Sequence, residues 1–393
     1  MTLVEIRQPL WINAEDVPRL PVGWRALPTA EACIQLKVGK LFEKKTVAEK
    51  GRVPVLNQSD VGFLGYHDEE PGVTASPELP VVTFANHTCA MRLMKQPFSS
   101  IQNVFPKIGK PGITDTVYFY YATLGRVGLS DYKGHHPVFR QAFIPIPPLS
   151  IQHRIADILS AYDELIENNQ RRIKILEAIA RAIYQEAVKA GPSAAEPKPL
   201  VNCSYWRFIS ENVSAYIGAK RYFATADVDG LAITGPGIEY PFSEKPSRAQ
   251  KQPIPNSVWF ARMKDTYKIA WYEAVDEERA SSTMLSSGFA GFEAVDAELW
   301  PLLFLAISSK EFHVQKDLYC TGATQMSLTN EGLARVELAM PDEAGARALG
   351  RATQPILRQM LLLQRKSESL RRTRDLLLPR LLSGELDVET LAA

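Results

Sequence analysis

No catalytic signature stands anywhere in the 393 residues. The chain has no GxGxxG after an apolar run, no GxxxxGK[ST] loop, no HExxH and no GxSxG. The usual dinucleotide, P-loop, zinc-protease and serine-hydrolase chemistries therefore have no foothold. Cysteine is sparse: Cys33, Cys89, Cys203 and Cys320 lie far apart, with no CxxC or Cys/His spacing. That supports neither a disulfide framework nor a zinc site, and leaves free thiols in a reducing compartment as the expectation. Long hydrophobic runs are missing too, none approaching the ~20 apolar residues that span a bilayer. The first residues, MTLVEIRQPLWINAEDVPRL, lack the basic start and apolar core of a signal peptide. The expectation is a cytoplasmic protein with no membrane partner. Charge of one sign is absent as well: 45 Lys and Arg stand against 44 Asp and Glu. No global basic excess announces nucleic acid, and no acidic excess announces disorder.

What is present is organisation. The length suits two ordinary domains, each with its own core. Three breaks divide the chain. In AFIPIPPLS, residues 142–150, Pro147 and Pro148 disfavour helix upstream and Ser150 can serve as N-cap. KAGPSAAEPKPL, residues 189–200, reads as a C-cap followed by an exposed linker. ELAMPDEAGARAL, residues 337–349, ends a strand-like run at Pro341 and Asp342 and opens a helix. The order is globular, helix, linker, globular, helix, which repeats an architecture without repeating a sequence.

The first helix carries a heptad seam of Ile155, Tyr162, Asn169, Leu176 and Ile183. A neighbouring seam holds Ile158, Leu165 and Ile179, with Leu159, Ile166 and Ile173 widening the stripe. Its length of about 38 residues corresponds to roughly 57 Å, more than a compact domain needs. The C-terminal segment supplies a matching seam of Leu349, Ile356, Leu363, Leu370 and Leu377, with Met360 and Leu381 beside it. Pro355 should kink or restart that helix. The simplest account is an antiparallel pair serving as a spacer, with Asn169, Arg172, Ser367 and Arg374 fixing register. The alternative is two ordinary core helices of one large domain.

Candidate chemistry is confined to binding. Of the six histidines only the pair in GHHP, His135 and His136, is close together, and a loop is the simpler reading. YHDEEPG, residues 66–72, gathers acids that could hold a cation but reads first as a solvated turn. Basic residues interleave with aromatics and turn formers. In the first half they are Arg92 and Lys95, Lys107 and Lys110, and Arg126 and Lys133. In the second they are Lys220 and Arg221, then Lys245, Arg248 and Lys251, then Arg262 and Lys264. Such side chains can neutralise phosphates and reach base edges, and equally decorate any soluble surface.

Two stretches carry a family resemblance: PIPPLSIQHRIADILSAYDELIENNQRRIKILEAIARAIYQ in the middle and LRRTRDLLLPRLLSGELDV at the end. They resemble the specificity subunit of type I restriction-modification systems, in which two target-recognition domains alternate with two long helices. The proline pair, Gln and basic residue that open such a helix are matched by Pro147, Pro148, Gln152 and Arg154, and the closing series by residues 374–386. PVGWRAL, residues 21–27, resembles the start of a recognition domain, and YCTGATQMSLT, residues 319–329, the Gly-x-x-Gln loop before its last strand, which adds Gln325 to the DNA-binding candidates. The first half has YYATLGRVGLS in place of that loop, and the closing helix opens PDEAGARALG without the Gln-Arg step.

The resemblance implies an α+β fold: target-recognition domains at residues 1–149 and, after a linker, within 191–341, with spacer helices at 150–190 and 342–393. It implies a bipartite DNA target with one half-site per domain, and a gap set by helix length. It implies double-stranded DNA, modification (methyltransferase) subunits and a restriction (translocase and nuclease) subunit as partners, with no catalytic residue, metal or cofactor in this chain. The competing readings are a DNA methyltransferase carrying its own recognition domain, which would need an [ND]PP[YF] loop that is absent, and a coiled-coil scaffold that does not read DNA.

Overall fold

The computed structural model describes residues 8–60, 62–130, 134–189, 197–235, 237–323 and 325–388. Contacts divide the chain into two compact units, residues 1–166 with 369–393, and residues 167–368. The division falls inside both long helices, so each unit is a β-rich body with one portion of each helix, an α+β arrangement in both cases.

In the first unit a four-stranded antiparallel sheet runs in the order Cys33–Gln35, Val104–Gly109, Val81–Ala85, Met91–Met94. A second, three-stranded sheet sets Val53–Leu56 between Gly65–His67 and Ser99–Ser100, the last pairing parallel. The helix Thr116–Thr123 lies in the core with Tyr118, Phe119, Tyr121 and Ala122 buried, and starts at Asp115, whose carboxylate accepts from Tyr118 N at 2.8 Å. The opening strand Arg25–Pro28 pairs antiparallel with Phe143–Ile146, the strand that leads into the long helix. This fastens the two ends of the body together just before the chain leaves it.

The second unit repeats the plan. Its antiparallel sheet runs Trp206–Phe208, Phe289–Ala294, Ser257–Ala261, Ile269–Tyr272. Its other sheet runs Ile238–Pro241, Ala219–Phe223, Thr283–Ser286, Ala249–Lys251, with one parallel pair in the middle. The helix Trp300–Ile307 is apolar on every side, and all eight of its residues are buried, as a helix without a polar face must be. The opening strand Lys198–Pro199 again pairs with the strand before the closing helix, Glu337–Leu338.

The first long helix is Leu149–Lys189 and the closing one Glu343–Ser383. The first starts one residue before Ser150, so Ser150 lies in the opening turn and is not its cap. Gln152 is fully buried and ties that start in place: its amide donates to Ile113 O and Pro147 O at 2.9 and 2.8 Å and accepts from Asp115 N at 2.9 Å. The closing helix is capped by Asp342, whose carboxylate accepts from Gly345 N at 2.8 Å. It runs through Pro355 without a break. Pro355 and Arg351, the residue whose carbonyl it leaves without a helical donor, are both exposed. The helix ends at Gly384, whose φ of +72° suits glycine and whose missing Cβ leaves room for Pro21.

The helices pack antiparallel. In the first unit Ile155, Ala156 and Leu159 share a core with Leu378, Leu381 and Leu382; in the second, Ala180 and Tyr184 share one with Leu357, Met360 and Leu361. Early residues of one thus meet late residues of the other. Ile155 and Leu363 are buried, and Ile158, Tyr162, Leu176, Ile183, Ile356, Leu370 and Leu377 are half-buried. Leu165 and Ile179 are instead exposed, at 51% and 46%. The second seam of the first helix lies four residues past the first, at Leu159, Ile166, Ile173 and Ala180, and not three. Of the polar register positions, Asn169, Ser367 and Arg374 are buried while Arg172 is exposed.

Candidate nucleic-acid interface

The basic candidates of the first unit separate by burial. Lys107 is 2% exposed. Its ammonium contacts Gln35 Oε1 at 3.1 Å and His136 Nε2 at 2.9 Å, above the rings of Phe105 and Phe139. Burial pushes its pKa down to about 8, and burial with Lys107 and Arg140 nearby pushes His136 down to about 4. Arg126 is 3% exposed, donates to Ala122 O and Pro9 O at 2.6 and 2.8 Å and covers the Trp11 ring; burial lowers its pKa to about 10. Both side chains are buried and bonded to interior partners, which counts against their reading as phosphate ligands. Arg92 is half-buried and donates to Ser59 O and Gly62 O, its pKa lowered by burial. Lys95 pairs with Glu164 at 3.2 Å, and Lys110 is exposed. Lys133 lies outside the described residues.

Sequence reasoning passed over a denser basic stretch. Lys37, Lys40, Lys44, Lys45, Lys50 and Arg52 are all exposed on one segment. Their frequency within residues 37–52 was the available signal. Part of this charge answers the acidic turn of YHDEEPG: Lys40 meets Glu69 at 2.6 Å, and Arg52 binds the backbone carbonyls of Asp68 and Glu69. His67 from the same turn is buried on Ser99 Oγ at 2.9 Å. The turn is structural, and among the described residues no group of His, Cys, Asp or Glu has the makings of a metal site.

The second unit gathers its candidates. Lys220, Arg221, Lys245, Arg248 and Lys251 all belong to one four-stranded sheet and the turn leading into its edge strand. Lys220 lies 4.9 Å above the Tyr216 ring and Lys245 5.5 Å above Phe242, and those two rings meet edge to face at 5.4 Å. Arg221 is paired with Glu239, Lys245 reaches Ala249 O, Lys251 reaches Asn212 Oδ1, and Arg248 is exposed. Burial, then the charge of Arg262, lowers the Lys251 pKa, which sets those two cations near each other.

Arg262, Lys264 and Gln325 also come together, although more than sixty residues of sequence separate Gln325 from the others. Arg262 and Lys264 lie where strand Ser257–Ala261 turns back towards Ile269–Tyr272. The Arg262 guanidinium donates to Leu328 O and Asn330 Oδ1 at 2.9 and 2.8 Å, Lys264 N to Met326 O at 3.0 Å, and Gln325 Nε2 to Met263 Sδ at 3.5 Å. Burial lowers the Arg262 pKa, yet the guanidinium keeps a solvent-facing side. The chemistry on display is that of donors held on a rigid frame: amide, guanidinium and ammonium. The four cysteines are unpaired, with Cys89 pushed up to about 11 by burial. No helix among the described residues is long and apolar enough to cross a membrane.

Two β-rich bodies of one plan, each packed on a portion of both antiparallel long helices, define the class of fold: an α+β protein with a duplicated body. Residues 30–178 match the family model of the type I restriction modification DNA specificity domain. The fold is similar over 93% of this chain and 97% of that chain to the type I restriction-modification system S subunit from M. genitalium, at 15% identity and a TM-score of 0.51. The HsdS subunit from Thermoanaerobacter tengcongensis matches at 15% identity over 94% and 98% of the two chains, with a TM-score of 0.29. A structure describing complex assembly and conformational transition of the type I R-M system matches at 15% over 94% and 100%, with a TM-score of 0.31. No match is found among curated proteins. The match to the family model thus covers the first β-rich body and most of the first long helix, and the likeness to the S subunit extends over the fold of the whole chain.

Proposed function

We propose that this chain reads a bipartite duplex-DNA target, one half-site per unit, for a cytoplasmic type I restriction-modification enzyme. Modification subunits supply the methyl-transfer site and a restriction subunit the translocase and nuclease; this chain supplies the address. The observation that carries the reading is the duplicated body, closed each time by the same pairing of opening strand with pre-helix strand. A duplicated reader joined by stiff helices suits two separated half-sites, because helix length then fixes the unread gap. A scaffold without readout has no need of two such bodies. A self-contained methyltransferase would need a nucleoside cradle, and no motif for one occurs in the sequence.

The test is domain exchange. Residues 1–149 are replaced by the matching segment of a relative, the chain is co-expressed with its modification subunits, and methylated sites are mapped by sequencing. One half of the recognised sequence should change and the other persist. Simultaneous change of both halves would refute independent readers.

A further inference from the structure

In both units the same hairpin is fixed from behind by a buried basic side chain, and neither case has an obvious need for it in packing. In the second unit the turn is residues 262–267. Lys316 is fully buried, and its ammonium donates to Met263 O and Thr266 O at 2.8 and 2.9 Å. The next residue, Asp317, sits 3.0 Å from that ammonium and accepts from Asp265 N at 3.1 Å. In the first unit the turn is residues 86–89. His135, 3% exposed, accepts from Ser130 N on Nε2 at 3.1 Å, so Nδ1 carries the proton and donates to Asn86 O at 3.0 Å. The adjacent backbone joins in: His135 N also donates to Asn86 O, and His136 N to Asn86 Oδ1 at 2.9 Å.

The correspondence extends to backbone conformation. Cys89 has φ of +56° and Asp265 φ of +55°, each four residues past the end of the preceding strand. Left-handed backbone at non-glycine residues is costly and persists where surrounding contacts determine it. A buried ammonium is costlier still, and is tolerated here because two carbonyls and a carboxylate surround it. Two bodies with different sequences thus maintain a buried brace, and a left-handed non-glycine residue beside it, at one equivalent place.

Each brace holds side chains that face out. The second tip carries Arg262 and Lys264, with Gln325 alongside. The first carries His87 and Thr88, both exposed, with Asn103 Nδ2 at 3.2 Å from His87 Nε2 and Gln58 Oε1 accepting from His87 N at 2.9 Å. Arginine, lysine and carboxamides are the groups that pair with base edges in the major groove, and such pairing needs them fixed in advance.

We infer that the two turns, residues 86–89 and 262–267, are the elements that read base edges, one per unit, and that His135 and Lys316 are the positioning residues that set them. This rests on the reading of the chain as a two-domain specificity subunit. It assigns the readers to the hairpins and leaves the basic segment at residues 37–52 and the Lys220 and Lys245 sheet to phosphate.

The experiment uses the full chain assembled with its modification subunits and maps methylation genome-wide for Lys316→Met and His135→Phe. Each variant should raise methylation at sites with one mismatch by about tenfold, the discrimination one base-edge contact supplies. Lys316→Met should do so in one half-site and His135→Phe in the other. Lys316→Arg and His135→Asn, which can still donate, should restore much of the discrimination. Lys264→Gln and His87→Ala change tip side chains outside the buried braces and should shift base preference in the same respective halves, which decides the matter if a buried variant fails to fold. The inference is overturned if either brace variant relaxes both halves equally, or if the two tip variants leave every recognised position unchanged. A wild-type assembly that methylates no bipartite site would instead defeat the underlying specificity reading.

Discussion

Lys107 should be costly to stability and dispensable for DNA. Burial lowers its pKa from 10.5 to about 8. That drop is worth about 3 kcal/mol at ~1.4 kcal/mol per pH unit. A base whose folded pKa lies below its unfolded value binds fewer protons when folded, at any pH between the two. The destabilisation is therefore present in full below pH 8 and is relieved as pH rises from 8 to 10.5. Lys107→Met keeps the apolar stem over Phe105 and Phe139, removes the charge, and gives up the contact to Gln35, a loss of about 1 kcal/mol. The net expectation is a gain of about 2 kcal/mol at pH 7 that falls through zero within the window and becomes a loss of about 1 kcal/mol at its top. Equilibrium urea unfolding of wild type and variant, side by side across that range, measures it, and the difference between them cancels other titrating groups. DNA affinity and its salt dependence should not move, because the ammonium is turned inward. A variant less stable than wild type at pH 7, a difference that ignores pH, or weaker binding to all sequences would refute the reasoning.

The helix pair offers two further tests. Arg374 is 4% exposed and bound to Asp163 and Asp375, with the Tyr121 hydroxyl donating to Asp163 at 2.6 Å. Arg374→Met should cost about 3 kcal/mol, the low end for a broken buried pair, because the Asp163 side chain keeps 30% exposure. Adding Asp163→Asn should recover part of that loss, and strictly additive losses in thermal unfolding would argue against coupling. The seam position is tested by contrast: Leu165→Gln with Ile179→Gln should stay within about 0.5 kcal/mol of wild type, while Ala180→Asp should lose several kcal/mol. The reverse order would return the seam to the three-residue offset.

The helices and their limits were legible because periodicity and proline act locally. Ile155, Leu176 and Leu363 announce a buried stripe in any context, and Pro147, Pro148 and Pro341 mark where helix cannot begin earlier. Which side of the stripe faces the partner was not legible. Apolar residues occur at both the third and fourth positions past the first seam, and only the partner decides between Leu165 and Ile166. Pro355 does not restart the helix, which continues from Glu343 to Ser383 through two exposed positions, Arg351 and Pro355. Gln152, recognised only as part of a motif, is a buried amide joining helix to body.

The reading residues were the least legible part, and the reason is physical. A lysine in sequence announces charge, but whether that charge meets solvent or a carbonyl depends on chain that folds back from far away. Lys107 looked like a phosphate ligand and is interior; Lys316 drew no notice and braces a turn more than fifty residues upstream. GHHP read as plain loop, and its first histidine holds Asn86 from forty-nine residues away. Specificity demands this arrangement. A base edge offers only a donor and acceptor pattern, so discrimination depends on how little the reading groups can move. Fixing an exposed turn requires bonds to its backbone from the interior, and lysine and histidine are among the side chains with the reach and the donors to make them, as Lys316 and His135 do. The same side chains that betray a nucleic-acid surface in composition are thus needed beneath it. Charge counts alone must confuse the two, and burial separates them.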